Sequence, residues 1–353
     1  MFFIYLILFA IITFLLFFAG SRLIIFADAL SEKTKISDVW IGMIALSIVT
    51  SLPELISNLS AVLIVKQPDL ALGNIIGSNI FNLTILFFVE IIFVGRSIFN
   101  AIHKKYIKPI NLAVVITFVI MIQILIVPHI NPGKIFGITV YSDLSIGFVS
   151  GTSILVILLY LFGFRYYLKD LNLGEEGELP IEEKYLHFSN KRVIFSFIFY
   201  SFFIVIIGIA MSLIADKMST IDIRIGEKVF KLGHTFVGSL FLAFATSLPE
   251  LVVSIQAIRK VNSVNLAIGN VLGSNLFNLI IISISDFFYF KAPIYHHTSP
   301  SHLISIFVFF LLAIAIVIGI RRRTKHKWKI SPESIFIILT YLTYLFILFR
   351  FRI

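Results

Sequence analysis

Two glutamates, Glu54 and Glu250, sit inside apolar stretches, and the same string carries each of them: Thr50-Ser51-Leu52-Pro53-Glu54-Leu55 and Thr246-Ser247-Leu248-Pro249-Glu250-Leu251. The proline before each glutamate removes a backbone donor and frees a carbonyl one turn earlier. That carbonyl, two hydroxyls and a carboxylate make an oxygen-rich, anionic cluster, the kind that hard cations take; calcium accepts about six to eight oxygens. A second string follows in each case, Gly73-Asn74 with Gly77-Ser78-Asn79 and Gly269-Asn270 with Gly273-Ser274-Asn275, extended by Asn82 and Asn278. Ser78 and Asn82 lie four apart and share a helical face, as do Ser274 and Asn278. Glycines spaced by four let helix backbones approach closely, so these faces are expected to close against the glutamate-bearing bends.

Both strings belong to one duplicated segment. Residues 42–85 align with 238–281 without a gap at an offset of 196, and 21 of the 44 positions are identical. Polar residues recur while apolar positions drift among Ile, Leu, Val and Phe, the reverse of what packing alone selects. Singly, each feature has a plainer reading: Gly-x-x-x-Gly as helix packing, proline as a kink, a buried glutamate as a structural hydrogen-bonding group. Their joint recurrence favours one cation site shared by the two copies. The remaining polar residues carry blander expectations. Glu90 and Asp286 read as interfacial acids near span ends, Asp216 as solvated, and His296, His297 and His302 as a solvated loop cluster. The Arg321 to Lys329 run reads as a cytoplasmic topology determinant, and the 38 phenylalanines as lipid-facing or packing residues.

These residues need a scaffold, and the composition says which kind. With 59% hydrophobic and 14% charged residues, the chain is too apolar to cover a water-soluble globule and reads as a membrane protein. Cysteine is absent, which removes disulfides and thiolate sites. The net charge of +10 is spread between apolar runs, a distribution that suits loops facing anionic lipid and not nucleic acid. Spans are expected near 2–27, 38–65, 70–95, 106–127, 145–165, 192–216, 235–260, 265–290, 302–320 and 333–350. The apolar run from Phe2 to Gly20 lacks a basic leader and is read as a retained first helix. Five spans per half is an odd number, so the second half enters the membrane from the opposite side. The expected fold is an all-α integral membrane protein of ten transmembrane helices, built as two inverted five-helix repeats. Residues 1–165 form the first half with its repeat at 42–85, residues 166–191 a cytoplasmic linker, and residues 192–353 the second half with its repeat at 238–281. Placing both termini outside puts 20 of the 29 Lys and Arg residues on the cytoplasmic side.

The two strings, set in inverted five-helix halves, resemble the alpha-repeats of the sodium/calcium exchanger family within the calcium/cation antiporter superfamily. Calcium/proton exchangers of that superfamily usually carry a glutamate in the block after Gly-Asn, whereas Gly73-Asn74-Ile75-Ile76-Gly77-Ser78-Asn79 has the sodium-exchanger form. The resemblance implies ion binding by Thr50, Ser51, Glu54, Ser78 and Asn82 and by Thr246, Ser247, Glu250, Ser274 and Asn278, with the backbone carbonyls of Ser47 and Ala243 as further ligands. Many relatives have Asp where this chain has Asn278, and potassium-dependent exchangers tend to use an acid there. With Asn82 and Asn278 both neutral, only Glu54 and Glu250 bring charge. Two carboxylates still neutralise one calcium, while potassium co-transport is not expected.

The function implied is secondary antiport of sodium against calcium by alternating access, serving calcium extrusion across the plasma (inner) membrane of a prokaryote. The first and sixth helices would move past a fixed core, with Gly20, Gly42, Gly208 and Gly238 as places for close sliding. The partners implied are calcium and sodium ions and the lipid bilayer. No resident cofactor and no nucleic acid are implied, and a monomer is expected. Calcium/proton exchange, or exchange of lithium or of a divalent ion other than calcium, is the second reading. A passive channel ranks lower, because filters are usually drawn from symmetric subunits or re-entrant loops. An intramembrane enzyme would need a nucleophile with a base or a His-Glu metal pair within the spans, and none is present.

Overall fold

Inside a bilayer each backbone N–H and C=O must bond within its own segment, so the apolar runs fold as helices. The computed structural model describes residues 2–93, 97–126, 133–135, 138–140, 145, 148–172, 184–219, 223–225, 228–230, 242–322 and 330–351. Ten long helices follow one another: α1 (Phe2–Thr34), α2 (Asp38–Val65), α3 (Pro68–Ile92), α4 (Lys104–Ile126), α5 (Gly151–Asn172), α6 (Asn190–Ser219), α7 (Leu248–Val261), α8 (Val264–Phe288), α9 (His302–Arg322) and α10 (Pro332–Phe351). Eight of them are long and apolar enough to cross a membrane, and α5 adds a shorter apolar stretch over Gly151–Tyr167. Helix α7 and a helical turn just before it lie in the remaining expected span, of which residues 235–241, with Gly238, lie outside the described residues. The chain is an all-α integral membrane protein. Two short antiparallel hairpins, β1 (Gly133–Ile135) with β2 (Ile138–Val140) and β3 (Ile223–Ile225) with β4 (Lys228–Phe230), stand in the α4–α5 and α6–α7 connections and were not expected.

Helices α3 and α8 pack together at the centre, and α2 and α7 flank them. Behind α8 lie α4 and α5; behind α3 lie α9 and α10. Helices α1 and α6 pair with each other on the outside, α1 resting on α7 and α6 on α2. Their outer faces present Ile7, Phe14, Phe195 and Phe202 to lipid. Two of the glycines expected at sliding contacts lie there: a Cβ on Gly20 would stand 2.7 Å from Val252 Cγ1, and one on Gly208 would strike Pro53 and stand 3.5 Å from Pro249. Gly42 differs. It packs inside the core against the Leu266 carbonyl and Gly269 of α8, so it fixes two core helices instead of easing a sliding one.

The duplication extends to backbone detail. The turns after α2 and α7 place Lys66 and Asn262 at left-handed φ of 60° and 56°. The next N–H, of Gln67 or Ser263, then bonds to the carbonyl of Ala61 or Ala257, each at 3.0 Å.

Glu90 and Asp286 correct an expectation. Both are buried, at 1% and 0% exposure, and neither is interfacial. Glu90 accepts the Ile98 N–H (3.1 Å) and both the N–H (3.1 Å) and the hydroxyl (2.9 Å) of Ser331, just ahead of α10. Asp286 accepts the N–H groups of Ile294 (2.6 Å) and of Ser150 (2.8 Å), just ahead of α5. Helices α3 and α8 end beneath the starts of α10 and α5, where orphan N–H groups have no water to bond. An acid at each end supplies acceptors, through charge-assisted bonds of about 1.5–3 kcal/mol apiece. The offset of 196 holds for 90 and 286 and for 98 and 294.

His302 is likewise not a solvated loop residue. It opens α9 and its Nε2 lies 2.8 Å from Asp69 Oδ1, which also receives the Ser299 N–H at 2.6 Å. The equivalent positions are Tyr106 and Asn265, where the phenol donates to the Asn265 backbone carbonyl at 3.0 Å. Of the linker, residues 173–183 lie outside the described residues. Its last part docks on α1, Tyr185 donating through its hydroxyl to Asp28 (2.7 Å) and through its N–H to Glu32 (3.2 Å). Residues 323–329 of the basic run and the side chain of Asp216 also lie outside them.

Candidate cation site

The Ser-Leu-Pro-Glu string takes two local conformations. In α2 the helix runs unbroken through Pro53, after a wider π-helical stretch over Ile41–Leu46. In the second copy a helical turn at 242–246 stops, Ser247 leaves helical geometry at φ −88° and ψ 5°, and α7 starts anew with Pro249 in its first turn. Proline is tolerated there because first-turn N–H groups have no intrahelical acceptor. The first copy therefore loosens its helix ahead of the glutamate, and the second breaks it.

All twelve expected residues are buried, none exposed by more than 2%. The two copies grip each other reciprocally. Ser51 of α2 donates to Glu250 Oε1 at 2.9 Å, and Ser247 donates to Glu54 Oε1 at 3.0 Å. The second carboxylate oxygen of each, Glu54 Oε2 and Glu250 Oε2, is buried with no hydrogen-bond partner among the described residues. Around them Thr50 Oγ1 lies 3.3 Å from Ser274 Oγ, and Ser78 Oγ lies 3.5 Å from Thr246 Oγ1, a second reciprocal pair. The Ser47 carbonyl receives the Ser274 hydroxyl at 3.4 Å, and the Ala243 carbonyl that of Thr246 at 3.2 Å. A Cβ on Gly77 would stand 3.1 Å from the Ala243 methyl, which brings α3 against this stretch.

Asn82 and Asn278 sit one turn beyond Ser78 and Ser274 but behave differently. Asn278 Nδ2 donates to Asn79 Oδ1 at 3.1 Å and leaves Oδ1 without a partner among the described residues, whereas both amide ends of Asn82 have none there. The supporting groups Asn58 and Ser254 were not singled out in the sequence. Asn74 donates to Asn58 at 2.9 Å, and Asn270 donates to Ser254 at 3.1 Å. Their signal was available, since 58 and 254 keep the offset of 196 and are both polar in apolar surroundings.

Among the described residues the side chains bonded to the two carboxylates are neutral hydroxyls, and none is cationic. Two buried acids without a cationic side chain call for a bound cation or protons. Hydroxyl, amide, carbonyl and carboxylate oxygens form a donor set for a hard ion such as sodium or calcium, not for a soft transition metal.

Comparison with known proteins bears on the family and the fold. The family described as "Sodium/calcium exchanger protein" matches residues 4–166 and 194–350. The inner membrane protein YrbG of Escherichia coli is 25% identical over 270 residues, covering 76% of this chain and 74% of that protein. The sodium/calcium exchanger MaX1 of Methanosarcina acetivorans is 24% identical over 336 residues, 92% of each chain. Among solved structures, the sodium-calcium exchanger NCX_Mj soaked with 100 mM Na+ and 10 mM Sr2+ superposes with a TM-score of 0.66 at 21% identity, over 97% of this chain and 98% of that one, a likeness of fold.

Proposed function

The chain belongs to the sodium/calcium exchanger family, and from that premise we propose that it exchanges sodium for calcium across the membrane by alternating access, extruding calcium on the inward sodium gradient. The observation that carries this reading is the reciprocal pair Ser51–Glu250 and Ser247–Glu54, each leaving one buried carboxylate oxygen for an ion. Glu54 and Glu250 neutralise one calcium. Thr50, Ser51, Ser78, Asn82, Thr246, Ser247, Ser274 and Asn278, with the carbonyls of Ser47 and Ala243, contribute the remaining oxygens. Calcium and several sodium ions compete for the same two carboxylates and are never bound together. Competition at one site that opens alternately to either side is what converts binding into exchange.

The moving part in this reading is the α1–α6 pair. It is supported by the pair's high exposure and by its close approach to the core at Gly20 and Gly208. Each acid at the core ends, Glu90 and Asp286, ties α3 or α8 to the start of another core helix. The bias of 20 basic residues against 9 supports both termini outside, in the inner membrane of a prokaryote. A single chain contains the whole site, which supports a working monomer.

Calcium-45 uptake into sodium-loaded, potassium-free proteoliposomes, with the proton gradient clamped, tests the reading. Uptake is expected to be rapid and to collapse when internal sodium is omitted. It should not need potassium, because Asn82 and Asn278 add no third charge. Uptake that follows a pH gradient without sodium would move the reading to calcium/proton exchange. Uptake that vanishes without potassium would overturn the charge argument, and a flux indifferent to every counter-ion would identify a channel.

A further inference from the structure

A chain of amides whose polarity can run only one way links α3 to α8. Asn79 Nδ2 donates to the backbone carbonyl of Asn275 at 3.3 Å. A carbonyl only accepts, so the Asn79 amide cannot be turned around, and its Oδ1 must face the other way. There it meets Asn278, which can answer an acceptor only with its NH2, at 3.1 Å. Asn278 is thereby fixed in turn, with its own Oδ1 left buried and without a partner. A backbone carbonyl thus sets the polarity of Asn278 through Asn79. Both side chains are buried, at 2% and 0% exposure, so water does not loosen the relay.

The other copy holds the same residues without the relay. Asn275 occupies the position of Asn79, and Asn82 that of Asn278. Yet among the described residues Asn275 Oδ1 and both ends of the Asn82 amide have no partner. The Asn278 amide is oriented by a bonded neighbour, and the Asn82 amide in the matching place is not.

We propose that Asn79 is a positioning residue for cation recognition: it holds Asn278 so that the carbonyl oxygen of its amide, and not the NH2, is presented to the ion held by Glu54 and Glu250. The proposal rests on the reading above that Asn278 faces the ion, as Ser274 does one turn earlier. An amide has one end that attracts a cation and one that repels it, so a neutral residue at 278 serves an ion only when its orientation is imposed. A carboxylate has acceptors at both ends and needs no such help. The relay therefore accounts for how this chain works with an amide at position 278.

The test is the Kd for calcium-45 on purified protein, measured for wild type, Asn79→Leu, Asn278→Asp and the double variant Asn79→Leu/Asn278→Asp. Leu keeps volume and removes both hydrogen bonds. Asn79→Leu is expected to raise the calcium Kd about 10- to 100-fold, the usual cost of losing a group that orients a metal ligand. In the Asn278→Asp background the same change should cost less than about 3-fold, since the carboxylate needs no orienting partner. An unchanged Kd in Asn79→Leu would overturn the proposal, and so would an equal loss in both backgrounds, which would mark Asn79 as a packing residue only. If Asn79→Leu does not purify as a folded protein, Asn79→Ser carries the same comparison with the same outcomes. Calcium binding that survives in Glu54→Gln would instead sink the site itself; its loss there, with Asn79→Leu at wild-type affinity, would sink the relay alone.

Discussion

Glu54→Gln and Glu250→Gln are each expected to abolish sodium-driven calcium-45 uptake, a fall of at least about 100-fold. Glutamine keeps the shape of the side chain, and its carbonyl still accepts the serine that holds it, Ser247 for residue 54 and Ser51 for residue 250. What disappears is half of the negative charge available to the ion. One carboxylate facing a divalent cation leaves a buried net charge uncompensated. Breaking a buried charge pair typically costs about 3–5 kcal/mol, and about 3 kcal/mol is already a factor of more than 100 in affinity. The two variants should fail equally because the site is reciprocal, and both should stay folded, since a desolvated carboxylate is replaced by a neutral amide. Wild-type uptake in either would remove that residue from the site.

Gly273→Ala is expected to damage the protein far more than Gly77→Ala, although the two glycines occupy the same place in the repeated string. A methyl on Gly273 would collide with the Met43 carbonyl and stand 2.7 Å from both Cβ and Oγ of Ser47. The Met43 carbonyl is already the acceptor of the Ser47 hydroxyl, at 2.5 Å. Relief means pushing α2 and α8 apart, which stretches the contacts of Ser274 with the Ser47 carbonyl and with Thr50. Overpacking of this kind costs about 1–3 kcal/mol in stability, and the displaced oxygens add a loss of calcium affinity of at least about 10-fold. At Gly77 the new methyl would meet, among the described residues, only the Ala243 methyl, at 3.1 Å. A shift of a few tenths of an ångström accommodates it, so uptake within about 3-fold of wild type is expected. Thermal unfolding in detergent together with calcium-45 uptake separates the two effects. Equal damage at both positions would contradict the packing described.

Much of this architecture is legible in the residues because bilayers are strict solvents. Apolar runs long enough to span, an odd number of them per half and a duplicated Pro-Glu string define the ten helices and the inversion, and their polar residues are the ones that meet at the centre. What is not legible depends on where other chain segments end. Glu90 and Asp286 read as interfacial from their distance along the helix, yet the starts of α10 and α5 lie over them and turn them into buried acceptors. The duplication also runs further than identity shows. Positions 69 and 265, 90 and 286, and 106 and 302 keep the offset while the residues drift from Asp to Asn, Glu to Asp and Tyr to His, so matching letters lose them. Identical letters mislead in the opposite direction. Ser-Leu-Pro-Glu is continuous helix in one copy and a helix start in the other, and the Asn79–Asn278 hydrogen bond has no counterpart between Asn275 and Asn82.

Competition between the two ions at equilibrium tests the central claim, one site for calcium and sodium, most directly. Calcium-45 bound to the purified protein is measured over a calcium titration at several sodium concentrations, with choline holding ionic strength constant. The expected result is a calcium Kd that climbs steeply with sodium while the binding capacity stays fixed. A capacity that falls at constant Kd, or calcium binding that ignores sodium, would mean that the two ions occupy separate places and would contradict the account.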